Sequence, residues 1–432
     1  MNLGEMDASV SKTTVLVDQV QAFYDRYPYP PPLTDLEQTR QLWSTGERSR
    51  VDYHLIWPQR EYREDLEILV AGCGTSQAAR HAIRHPYARV TGIDISETSL
   101  RYTQALKRKY KLKNLQLQPL PVERVDELGC QFDKIICTGV LHHLADPEAG
   151  LRALRTALKP QGAMHLMVYA AFGRTGIAML QEYCRLVGVE ASAVEIEDLI
   201  SALKELPRGH PLDFLLRESP DFRNPGALAD ALLNPRERTY TVPQLFEALD
   251  YSGLVFGRWY RQAPYSPQCG VIAGTPHGPR LAELPARQQY AAVELFRGTI
   301  SRHSFIAYRD DYDGVPQPIR FEGEDWLRFV PLRHPSVICI QKRLPPDTAG
   351  VLINQDHVDT DLIHPIDSLE KRTFDEIDGQ RSVAEIINNV STSTGSRLRQ
   401  ERAREFFERL WMYDHVVFDA SKRKQNSPVT ER

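Results

Sequence analysis

The chain has 432 residues, 42% hydrophobic and 25% charged, the balance of a globular protein long enough for two or three domains of roughly 150 residues. Fifty-three Lys and Arg against 57 Asp and Glu leave a net charge of -4, which argues against a dedicated nucleic-acid binder because no basic field is available for a phosphate backbone. No run of about 18 apolar residues occurs, and Met1 to Thr14 has no apolar signal core, so a cytoplasmic protein without a spanning helix is expected.

Near the amino terminus, Phe23-Tyr24-Asp25-Arg26-Tyr27-Pro28-Tyr29-Pro30-Pro31-Pro32 is a proline-stiffened run with three tyrosines. From Leu66 strand and helix signals alternate. Leu66 to Val70 is an apolar strand that stops at Ala71-Gly72-Cys73-Gly74, and a helix follows from about Ser76 to His85. Arg89 to Ile93 is a second strand ending at Asp94. Ser96 is positioned to cap the next helix, which places Leu100, Thr103, Leu106 and Tyr110 on one face. Leu115 to Leu117 is a weak third strand and Phe132 to Cys137 a fourth. Pro147 sits in a first helical turn, and the turn Lys159-Pro160-Gln161-Gly162 leads into a fifth strand, Ala163 to Tyr169. Alternation of this kind implies a parallel sheet covered on both faces.

Residues 170–240 interrupt the rhythm with helical patches, Ile177 to Val187 and Val194 to Leu206, and read as a helical insertion. A helix from Val242 to Tyr251, a strand from Gly253 to Phe256 and a last strand from Gly270 to Gly274 follow; the short loop between the two strands predicts an antiparallel pair. Beyond Pro279 a smaller unit ends in three helices, Ser368 to Ile377, Ser382 to Val390 and Arg397 to Trp411, and a strand, His415 to Phe418, the order of a winged-helix fold from about residue 366. The expected division is an N-terminal segment (1–65), an α/β domain (66–278) and a C-terminal domain (279–432). The six cysteines (Cys73, Cys130, Cys137, Cys184, Cys269, Cys339) form no CxxC pair and read as buried thiols.

The chemistry gathers at two strand ends. The bend at Gly72 and Gly74 lets a ligand approach bare backbone, and the amides opening the next helix suit an anion. Asp94, twenty residues after Gly74, is placed to accept hydrogen bonds from ribose hydroxyls. A dinucleotide site wants a third glycine where this chain has Gln77, so the pattern favours an adenosine ligand with no diphosphate. His142 and His143 follow the fourth strand, at the edge where open α/β sheets bind ligands. His357-Val358-Asp359 with His364 and His415 has the look of a two-His-one-carboxylate site, but its spacing is uninformative and no metal is expected.

These residues resemble the class I S-adenosylmethionine-dependent methyltransferases, over about Leu66 to Gly274. The resemblance rests on Val70-Ala71-Gly72-Cys73-Gly74, on Gly92-Ile93-Asp94, on Phe132-Asp133 through Leu144 with Asp146-Pro147, and on Leu158-Lys159-Pro160-Gln161-Gly162. It implies an α/β Rossmann-like fold with a seven-stranded sheet and S-adenosylmethionine as cofactor. Ala71, Gly72, Cys73, Gly74, Asp94, Ile95, Gly139 and Tyr29 are the candidate cofactor-binding residues. Ala71 replaces the acid usual in the first motif, and Gln118-Pro119-Leu120-Pro121 lacks the acid expected near adenine. In similar enzymes the segment before the first motif closes over the cofactor, which makes Tyr24, Tyr27 and Tyr29 lid candidates.

His142 and His143, with Tyr24 and Tyr27, are the candidate catalytic residues. Methyl transfer needs the acceptor aligned with the methyl and the sulfur, and a base only where the acceptor is protonated. The Leu141-His142-His143-Leu144 segment resembles that of quinone and natural-product methyltransferases, which implies a small organic acceptor. The rival readings are a peptide or protein methyltransferase using the C-terminal domain, which resembles peptide-binding winged-helix domains, and a non-catalytic S-adenosylmethionine sensor.

Overall fold

The structure, a computed structural model, describes residues 19–218, 224–312, 314–390 and 396–422. The first eighteen residues of the expected N-terminal lid and the last ten of the C-terminal domain lie outside the described residues. Two compact units emerge. The first gathers the chain through Gln41, Glu64–Phe256 and Arg297–Val315; the second gathers Leu42–Arg63, Gly257–Phe296 and Pro316 onward. Each unit is assembled from separated stretches of chain.

The first unit is built on a seven-stranded sheet: β1 Glu67–Ala71, β2 Arg89–Asp94, β3 Leu115–Pro119, β4 Phe132–Thr138, β5 Leu158–Tyr169, β6 Leu254–Trp259 and β7 Arg302–Arg309, in the order β3-β2-β1-β4-β5-β7-β6. The neighbours from β3 through β5 run parallel, and β5 pairs antiparallel with β7. Ile68, Leu69 and Val70 are wholly buried, the continuous apolar run that a parallel strand covered on both faces requires. The helix Gln77–Arg84 packs through Ala78, Ala79 and Ala82. Ser96 caps the helix Glu97–Tyr110 by accepting the Ser99 amide, and Asp146 caps Pro147–Ala157 by accepting the Ala149 amide. Residues 159–162 protrude from β5 between the pairings Phe132–Leu158 and Lys134–Ala163.

One predicted strand is corrected. Val271–Gly274 is a single tight helical turn, and the seventh strand is Arg302–Arg309, which places Ala307 opposite Met164 and Phe305 opposite Leu166. An apolar run flanked by glycines does not by itself distinguish a strand from a turn. The insertion holds the helices Thr175–Val187, Ala193–Lys204, Asp213–Glu218 and Pro225–Leu233. Ile177, Leu180, Ile196, Leu199, Leu228 and Leu232 close a core there together with Phe23 of the amino-terminal segment.

The second unit contains the antiparallel sheet β9 (Val337–Ile340), β10 (Gly350–Asn354) and β11 (Ile363–Ile366), in the order β11-β10-β9. It also contains the predicted helices Ser368–Asp375, Val383–Val390 and Ser396–Met412. Asp367 and Glu370 form a reciprocal capping box at the first of these. Phe374, Ile386, Phe406, Phe407 and Phe418 lie in its core. The closing strand β12 (Val416–Asp419) pairs antiparallel with β8 (Val330–Arg333), a strand that precedes the three helices. Of the cysteines, Cys73, Cys137, Cys184 and Cys269 are buried as expected, whereas Cys130 is exposed and Cys339 half-buried. Among the described residues no helix is long and apolar enough to cross a membrane.

Candidate functional site

The ends of β1 and β2 are joined by hydrogen bonds. Ala71 closes β1, and the chain turns through Gly72 and Gly74 with φ of +66° and +53°, the left-handed region that glycine tolerates. A Cβ on Gly72 would lie 2.2 Å from Val140 Cγ2, and one on Gly74 would lie 2.8 Å from the Tyr29 carbonyl oxygen. The Cys73 amide donates to the Ile93 carbonyl at 2.9 Å, and the Gly74 amide donates to Asp94 Oδ2 at 2.7 Å. The Ser96 amide donates to Asp94 Oδ1 at 2.8 Å. Burial pushes the Asp94 carboxyl above its usual value, and the Ser96 and Gly74 amides pull it back in part. Ile95, beside it, is half-buried. Gln77, standing where a dinucleotide fold has glycine, accepts the Thr138 hydroxyl at 3.1 Å.

The amino-terminal segment is tied to both strand ends. Thr75 Oγ1 donates to the Pro30 carbonyl at 2.7 Å, and Asp25 Oδ1 accepts the Ser96 hydroxyl at 2.7 Å and the Thr98 amide at 3.2 Å. Of the three tyrosines, Tyr29 meets the glycine turn through its backbone. Tyr27 donates its hydroxyl to the Ala191 carbonyl at 2.8 Å, and Tyr24 donates to Asp230 Oδ1 at 2.9 Å, so both anchor the insertion.

The two histidines differ sharply. Gly139 (φ +79°) donates its amide to the Met167 carbonyl and leads into a tight helical turn, Leu141–His143. His143 Nδ1 lies 2.6 Å from the Arg236 carbonyl, which can only accept, so this nitrogen carries the hydrogen. His142 is fully buried, and neither ring nitrogen has a hydrogen-bond partner among the described residues. Its ring lies 3.9 Å from the Tyr169 ring. Burial, reinforced by His143 and Arg174, pushes the His142 pKa well below the usual histidine value, so the imidazole is neutral.

Tyr169 ends β5 at the same edge of the sheet. The Arg174 guanidinium sits 3.5 Å from its ring centroid, and Arg174 Nη2 reaches both Glu237 oxygens, at 2.9 and 2.8 Å. Tyr169, Arg174, Asp230, Asn234 and Glu237 carry no motif, and sequence reasoning missed them. The one available signal was Tyr169 at the carboxyl end of a parallel strand. In the second unit, the rings of His364 and His415 stack at 5.4 Å, while His357 Nε2 lies 3.5 Å from Asp414. Among the described residues no group of three or more His, Cys, Asp or Glu could hold a metal ion.

Residues 69–164, which hold the glycine turn, Asp94 and the two histidines, match the family model described as a methyltransferase domain. The fold is similar to that of PKMT2 from Rickettsia typhi, with a TM-score of 0.63 at 14% identity, over 90% of this chain and 77% of that one. A second structure of PKMT2, in complex with AdoHcy, gives a TM-score of 0.61. The chain carries a class I S-adenosylmethionine-dependent methyltransferase domain.

S-adenosylmethionine is therefore the methyltransferase's cofactor. An uncharacterized protein from Synechococcus is 30% identical to the methyltransferase over 324 residues, 73% of this chain and 76% of that protein. A ubiquinone biosynthesis O-methyltransferase from Albidiferax ferrireducens is 35% identical over 97 residues, only 22% of this chain and 38% of its own length.

Proposed function

We propose that the methyltransferase transfers a methyl group to a hydroxyl of a small organic acceptor bound at the carboxyl ends of β4 and β5. The carrying observation is His142, a neutral imidazole sealed from solvent with both ring nitrogens unpartnered. A buried polar group without a partner is costly unless a ligand supplies one. The partial likeness to an O-methyltransferase supports oxygen as the acceptor atom.

S-adenosylmethionine supplies a methyl group already activated on a sulfonium. The glycine turn leaves room along Gly72 to Gly74 that any Cβ would fill, which suits the methionine portion. Asp94 accepts ribose hydroxyls on oxygens already oriented by two backbone amides. Tyr29 and Pro30 hold the turn from the other side. His142 orients the acceptor by accepting its O–H, and it receives the proton as the oxygen–carbon bond forms. The donor would lose its positive charge, leaving as a neutral thioether, so a proton taken up by His142 would not add to the charge buried there.

The test is to incubate the full chain with methyl-labelled donor and a cell extract, then separate small molecules from protein. Label in the small-molecule fraction as a methyl ether, lost in His142→Phe, is expected. Label confined to the protein fraction would overturn the reading in favour of a peptide acceptor.

A further inference from the structure

Asp230, on the insertion helix Pro225–Leu233, is 2% exposed. Its Oδ1 accepts the Tyr24 hydroxyl at 2.9 Å and Asn234 Nδ2 at 3.1 Å, and Asn234 Nδ2 also donates to the Tyr24 oxygen at 3.0 Å. Both partners are neutral. Among the described residues Oδ2 accepts no hydrogen bond, and no lysine, arginine or histidine pairs with the carboxylate. A buried carboxylate is ordinarily matched by a cation. Arg174 is committed elsewhere, since it binds Glu237 through both carboxylate oxygens.

A second observation points to the same place. The Tyr24 and Tyr169 rings both lie against His143, at 6.1 and 5.9 Å, and the Tyr169 ring packs at 3.9 Å on His142, whose ring nitrogens have no partner among the described residues. Burial raises both phenols, and the Asp230 charge adds to the rise. A carboxylate without a cation and an imidazole without a partner therefore share one aromatic cluster at the carboxyl edge of the sheet. Aromatic faces beside a carboxylate are the usual surroundings of a bound ammonium.

We propose that the acceptor carries a positively charged nitrogen, separate from the atom that is methylated, and that this nitrogen docks on Oδ2 of Asp230 against the rings of Tyr24 and Tyr169. The inference rests on the acceptor reading of the site given above. It makes Asp230 a specificity-determining residue: an acceptor of the same shape without the charge leaves the carboxylate buried and unpaired, a penalty that favours the cationic molecule. The alternative is that Asp230 serves only to hold Tyr24. Asp230→Asn separates the two roles, because the asparagine carbonyl still accepts the Tyr24 hydroxyl while the charge is gone.

The experiment uses the full chain, methyl-labelled S-adenosylmethionine and the small-molecule fraction of a cell extract. Labelled products, resolved from unreacted donor, are applied to a cation exchanger at about pH 3, below the carboxylate range, where only basic nitrogens retain them. Retention of the wild-type product is expected. Asp230→Asn should lower the yield at limiting extract by about tenfold or more, the loss expected for a charged hydrogen bond, and recover with excess extract while donor affinity stays within about twofold. A small labelled product that flows through would overturn the inference and leave methyl transfer to a small acceptor standing. An unaltered yield with Asp230→Asn would overturn it likewise. Absence of label from the small-molecule fraction would instead overturn the acceptor reading itself.

Discussion

Asp94 Oδ2 accepts the Gly74 amide at 2.7 Å, so the acid that ends β2 and the bend that ends β1 form one hydrogen-bonded unit. Removing the carboxylate takes away the proposed ribose acceptor and the clamp on the turn together. Asp94→Ala should weaken S-adenosylmethionine binding by about 1.5–3 kcal/mol, the worth of a hydrogen bond to a charged group. The folded-state pKa is raised, so the group's contribution to stability is full below the unfolded value and lost as pH rises through the folded one. Holding this ionised carboxylate at neutral pH therefore costs stability. Donor affinity, which needs the ionised form, should fall on acidification at a higher pH than an ordinary aspartate would give. Calorimetric titrations over a pH series check both points.

Gly74→Ala carries two penalties that a control separates. A left-handed φ costs a residue with a Cβ about 1–2 kcal/mol. At Gly74 the added carbon would also lie 2.8 Å from the backbone oxygen of Tyr29, which no side-chain rotation can relieve. Gly129 has a similar φ of +63° and open space around it. Thermal unfolding should show Gly74→Ala more destabilising than Gly129→Ala, with donor binding lost in the first and kept in the second. Equal effects of the two would mean that the amino-terminal segment yields freely.

His142 and His143 should separate function from stability. His142→Phe removes two unpartnered buried nitrogens and keeps a ring on Tyr169, so the melting temperature should hold or rise while turnover falls about 100-fold or more. His143→Phe breaks the bond to the Arg236 carbonyl and should cost about 1–3 kcal/mol of stability. The reverse pattern would assign the base to His143.

Arg174 and Glu237 form a buried bidentate pair, with side chains 8% and 5% exposed. Breaking such a pair from one side strands the other charge, at about 3–5 kcal/mol. Arg174→Met and Glu237→Gln should each destabilise strongly, and the double variant should cost far less than the sum. Additive costs in a denaturation cycle would show that the two charges are solvated independently.

The hydrogen-bonded unit of the glycine turn and Asp94 was legible because its determinants are local: two glycines close a strand, and an acid ends the next one twenty residues on. At the proposed acceptor end His142 and Tyr24 were named, but Asp230 was not. Tyr24 and Asp230 are 206 residues apart, and no spacing rule links them. The seventh strand was misplaced for a related reason. The chain leaves the first unit at Phe256 and rejoins it at Arg297, so the partner of β5 lies beyond a stretch whose own apolar run, Val271–Gly274, offered a nearer choice. The small sheet β9-β10-β11 drew no expectation, since its strands are only four or five residues long. The capped helices, in contrast, were read almost to the residue, because Ser96, Asp146 and Pro147 act through their immediate neighbours.

The histidines of the second unit should contribute to its response to acid. His415 is fully buried, neither ring nitrogen has a partner among the described residues, and its ring stacks on His364 at 5.4 Å. Burial pushes His415 well below the usual value, helped by His364, His357 and His334; burial and then Arg409 lower His364 to about 3. Each folded-state value is depressed, so the stability these neutral rings contribute is full above the unfolded histidine value, near pH 6.5, and drains away as pH falls toward the folded values. Each such ring steepens the loss by up to about 1.4 kcal/mol per pH unit. His415→Leu should flatten the decline of the melting temperature between about pH 6.5 and pH 4.5, with little change near pH 8. A variant that melts in parallel with the wild type across that range would show that other groups carry the acid sensitivity.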